Sequence, residues 1–93
     1  MKFSPNACEY LLTGALHKAT NVQEATTNVL DVIQIIYFSL NAGDKIWVDV
    51  PSGLDAEGLV LELQSSKMPC IDVAYPGPQQ DKNQILFSKL SIK

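Results

Sequence analysis

Arginine is absent from this chain: its seven cations are all lysines, set against ten Asp and Glu for a net charge of −3. Guanidinium forks read guanine edges and clamp phosphates, so an acidic chain without them is not expected to bind nucleic acid. Cysteine is scarce, limited to Cys8 and Cys70 with no Cys-x-x-Cys pair between them. A small secreted scaffold would normally carry at least about four cysteines. Free, buried thiols are therefore expected, since an unpaired cysteine behaves as a small hydrophobe. Histidine occurs once, at His17, which leaves too few clustered Cys and His for a zinc site. The glycines form no Gly-x-Gly-x-x-Gly or phosphate-loop pattern, so the usual nucleotide sites have no support and no cofactor is expected. Long apolar runs are missing too. The richest stretch, Val29 to Leu40, is broken by Asp31, Gln34 and Ser39 and falls short of the roughly 20 apolar residues a membrane helix needs. The opening residues Met1 to Asn6 lead into no signal-type apolar run, which predicts a cytoplasmic protein with no membrane partner.

What is there argues for folding. A hydrophobic share of 46% with only 18% charged residues lies far from disordered compositions, and 93 residues suffice for one core, hence one domain over 1–93. Ser4-Pro5 starts a first helix, with serine as cap and proline at a position that needs no amide hydrogen. Its apolar stripe is Cys8, Leu11, Leu12, Ala15, Leu16 and Ala19. Gly14 weakens this helix, and close approach of another backbone would account for it. Thr20 with Gln23, or Asn21 with Glu24, fits a capping box opening a second helix. That helix runs through Val22, Ala25, Val29, Val32, Ile33, Ile36 and Leu40 until Asn41-Ala42-Gly43-Asp44 stops it. Its second half is apolar nearly all round and needs burial from more than one direction, and its polar stripe runs into Ile35 and Phe38.

Beyond Gly43 the period changes to two. Ile46, Val48 and Val50 alternate with Trp47 and Asp49, and Ile71, Val73 and Tyr75 alternate with Cys70, Asp72 and Ala74, marking two strands. A third is expected over Gln84 to Ile92, after a mobile loop from Pro76 to Asn83. Residues 54–66 match both templates. Alternation of Leu59, Leu61 and Leu63, with Gly58 ill placed in a helix, favours a strand; an Asp55 cap with Leu59, Val60 and Leu63 suits a helix and would make a βαβ unit. The expected fold is α+β, an N-terminal helix pair packed on one face of a three- to four-stranded, largely antiparallel sheet.

Catalytic chemistry finds little to work with. Cys8 lies about 13 Å from His17 along the helix axis, and Cys70 has no activating motif around it. The acids Asp44, Asp49, Asp55, Glu57 and Asp72 lack the spacing of a calcium loop. If Ile46, Val48, Val50, Ile71, Val73 and Tyr75 face the helices, then Trp47, Asp49, Cys70 and Asp72 look outward with Val60, Glu62, Ile85, Phe87 and Lys89. Such a face, aromatic and acidic, suits a protein partner. The expected function is thus a non-enzymatic protein-binding module of the inhibitor or immunity type. It would act as a homo-oligomer, expected to be a homodimer, and on a basic protein partner, with Trp47, Phe87, Phe38, Ile35, Asp49 and Asp72 as contacts. The alternatives are membership of a larger assembly, or a ligand pocket or enzyme site between helices and sheet, where His17, Tyr10, Tyr37 and Cys70 would converge.

Overall fold

Three helices and three strands alternate in part along the described residues of the computed structural model, which are 2–68, 70–77 and 83–91. Helix α1, Pro5–His17, starts where Ser4 Oγ accepts the Ala7 amide at 3.1 Å. Helix α2, Val22–Ser39, is capped by Asn21, whose Oδ1 accepts from the Glu24 amide at 2.8 Å. Glu24 reaches back one residue further than the box requires, accepting the Thr20 amide at 3.0 Å. Strand β1, Lys45–Asp49, follows with the expected alternation of buried and exposed residues.

Residues Ala56–Ser65 form helix α3, so the expectation of a strand here is overturned. Gly58 is the third helical residue and its amide donates to Asp55 Oδ1 at 3.1 Å. A β-carbon at that position would stand 2.7 Å from Asp55 Oδ2, so the glycine makes room for the cap rather than breaking the helix. The apparent alternation was accidental: Leu59, Val60 and Leu63 point inward at helical spacing while Leu61 is exposed.

Strands β2, Ile71–Ala74, and β3, Gln84–Lys89, complete a three-stranded sheet in the order β1-β3-β2. The central β3 is antiparallel to both neighbours, so β1 and β2 run parallel with α3 as their crossover and β3 inserted between them. This is the α+β fold with its N-terminal helix pair on one face of the sheet, and α3 joins the same layer. Helix α1 packs against α2 and β1, while α3 packs against α2, β2 and β3. Flanked by α1 and α3, α2 buries its apolar half on two sides, while Ile35 and Phe38 stay exposed.

The register Ile46↔Phe87↔Val73 and Val48↔Ile85 puts Ile85 and Phe87 on the helix side. Both are fully buried, which inverts the expected phase of this strand and removes Phe87 from any contact surface. The strand stops at Lys89, short of the expected Ile92: Leu90 and Ser91 lie beyond it, and Ile92 and residues 78–82 of the preceding loop lie outside the described residues. Lys89 shares that inner face. Its Nζ donates to the carbonyls of Tyr37 and Leu40, each at 2.8 Å, and sits 4.3 Å from the Tyr37 ring centre. The cation thereby caps the negative end of α2. Gly14 has nothing within 4 Å of where its β-carbon would lie, so no close backbone approach explains it.

Candidate functional site

Helices cover one face of the sheet and leave the other open. Its composition follows from the register. One row crosses the strands as Lys45, Ser88 and Asp72, the next as Trp47, Leu86 and Ala74, and a third begins with Asp49 and Gln84. The middle row is an apolar band spanning all three strands, flanked on both sides by polar rows. Trp47 is 38% exposed, Lys45, Asp49 and Asp72 are exposed, and Leu86 is half-buried. Gln84 Nε2 donates to Asp49 Oδ1 at 2.6 Å, which fixes one acid at the rim and links the two strands. Leu86 is a candidate that reading single strands missed: only the corrected phase of β3 brings it beside Trp47.

The remaining interface candidates divide between two surfaces. Trp47, Asp49 and Asp72 share the open sheet face. Ile35 and Phe38 are exposed on α2, in the layer on the opposite side of the sheet, with the Phe38 ring edge-on to Tyr37 at 5.4 Å.

The four candidate pocket residues do not converge. Tyr10 and His17 line a groove of about 530 Å³ between α1 and α2, floored by Gly14 and Ala15 and facing Asn28, Asp31 and Val32. Tyr37 lies at the far end of the helix pair, under Lys89. Cys70 precedes β2, at the sheet edge remote from β1 and α1. His17 is exposed, and its Nδ1 donates to the Thr13 carbonyl at 2.9 Å, an ordinary bond within a helix. A pocket between helices and sheet using all four is therefore replaced by an open groove on the helix layer that uses two.

Both cysteines are free. Cys8 is buried, and burial pushes its thiol up from the ordinary value near 9.0; a hydrogen bond with Ser39 opposes this, and the charge of Asp44 adds to it. Cys70 is partly buried and takes a left-handed φ of 52°, while its carbonyl accepts from the Leu90 amide at 2.8 Å. Among the described residues, no group of three His, Cys, Asp or Glu is placed to hold a metal ion, and no helix is long and apolar enough to cross a membrane. Compared with protein-family models, curated proteins and solved structures, the chain matches none.

Proposed function

We propose that this protein is a non-enzymatic protein-binding module of the inhibitor or immunity type, working in the cytoplasm, whose working surface is the open face of the sheet. The observation that carries the reading is the continuous band of Trp47, Leu86 and Ala74 across all three strands, which no helix among the described residues covers. An antiparallel sheet facing only water is mostly polar on that side, and a tryptophan beside a leucine is the type of anchor that partners bury. Asp49 and Asp72 at the rim, with the net charge of −3, favour a basic partner and steer its approach. The free thiols of Cys8 and Cys70 fit a reducing compartment.

The test is retention of a discrete basic protein from host extract by the immobilised chain. Trp47→Ala is expected to weaken retention by about 2 kcal/mol or more, since it removes a large contact area and readmits water. Retention should also fall with added salt, while His17→Gln leaves it unchanged. A partner held equally well by Trp47→Ala and Leu86→Ala chains, but lost with His17→Gln, would move the function to the groove between α1 and α2.

A further inference from the structure

The open face ends at an edge whose chemistry is self-complementary. Just beyond the two ends of β1, the Val50 amide donates to the Asn83 carbonyl at 2.9 Å and the Lys89 amide donates to the Asp44 carbonyl at 3.0 Å. Even-numbered residues therefore aim their backbone groups at β3, and by alternation Lys45, Trp47 and Asp49 aim their N–H and C=O groups away from the sheet. The opposite edge differs. There Gln64 Nε2, from α3, donates to the outward Val73 carbonyl at 3.0 Å. Among the described residues nothing pairs with the outward backbone groups of Lys45, Trp47 and Asp49, so the β1 edge can accept another strand.

We propose that two copies of this chain join β1 to β1 in antiparallel fashion about a two-fold axis midway between their Trp47 residues, making one continuous six-stranded sheet. The sequence Lys45-Ile46-Trp47-Val48-Asp49 sets the register. Centred on Trp47, Lys45 of each copy stands opposite Asp49 of the other, both on the open face, and the two tryptophans form the cross-strand pair between them. Each of the three outward-facing pairs exchanges both of its hydrogen bonds. A shift by two residues leaves one charge of each copy without its opposite and sets the other beside tryptophan. Edges are normally protected by charges that repel a copy of themselves. Here the two charges differ in sign and are placed to attract one. This deepens the binding reading by naming the chain itself as a partner, and the joined sheet would double the apolar face.

Sedimentation equilibrium of charge-reversed chains tests the pairing. The wild-type chain should weigh twice 10.2 kDa. Lys45→Glu or Asp49→Lys alone places like charges opposite each other twice per dimer and should weaken dimerisation by about tenfold or more. An equimolar mixture of the two variants, and the double variant Lys45→Glu/Asp49→Lys, should restore it, which also shows that the single variants fold. Amide exchange at Lys45, Trp47 and Asp49 should slow on dimerisation. A 10.2 kDa mass at millimolar concentration, or a dimer indifferent to both single reversals, overturns the proposal. Protection of the same amides only when a basic protein is added would also overturn it, while leaving the binding reading in place. Intact pairing with no partner lost on Leu86→Ala would do the reverse.

Discussion

Gly58→Ala should fail to stabilise a helix in which alanine would ordinarily be the better residue. At an unencumbered interior position the exchange gains about 1 kcal/mol. At position 58 the new methyl group would lie 2.7 Å from Asp55 Oδ2 and 3.1 Å from Asp55 Cγ, so the carboxylate must swing away. Swinging away breaks its bond to the residue-58 amide, a cap contributing about 1 kcal/mol, and shifts its negative charge off the positive end of α3, weakening an interaction of about 0.3–1 kcal/mol. Gain and loss offset, leaving Gly58→Ala neutral or destabilising by about 1 kcal/mol. With Asp55→Ala already made, at a cost of about 1–2 kcal/mol, the cap no longer exists to be lost, and Gly58→Ala should then stabilise by about 1 kcal/mol. Urea titration of the four chains, followed by helical circular dichroism and Trp47 emission, measures the coupling as a double-mutant cycle. A stabilisation of about 1 kcal/mol by Gly58→Ala in both backgrounds would refute the role given to the cap.

Other residues make separate predictions. Lys89→Met should lower stability by about 2 kcal/mol in thermal unfolding, because two charge-assisted bonds to the end of α2 are lost and a buried stem alone remains. Cys70→Val should cost about 1–2 kcal/mol at its left-handed φ, whereas Cys70→Gly should be close to neutral; equal effects in urea titration would remove the strain argument. Burial raises the folded-state pKa of Cys8, so above about pH 9 the unfolded chain releases a proton that the folded one keeps. Stability should therefore fall with rising pH there, by at most about 1.4 kcal/mol per pH unit, relative to a Cys8→Ala chain, with no such difference in slope below pH 8. Thiol reagents should leave Cys8 unmodified in the folded protein.

Local chemistry was enough for the helix starts and for two of the strands. Ser4-Pro5 and Asn21 with Glu24 act on amides within four residues, and the period of two in Lys45–Asp49 and Ile71–Ala74 is a property of each strand alone. From these the α+β class and the exposure of Trp47, Asp49 and Asp72 could be read directly. Alternation groups side chains into two sets but does not say which set is inside. Where one set is clearly apolar, as with Ile46 and Val48 against Lys45 and Asp49, burial chooses. In Gln84–Lys89 both sets carry apolar side chains, and the choice passes to pairing with β1 and β2, from residues as distant as Ile46 and Val73. That pairing buried Phe87, turned Leu86 out beside Trp47, and sent Lys89 under the end of α2. It also inserted β3 between two strands that precede it in the chain. Such placement follows from which non-local contacts bury the most apolar surface once the helices occupy one face, a quantity no window of neighbouring residues contains.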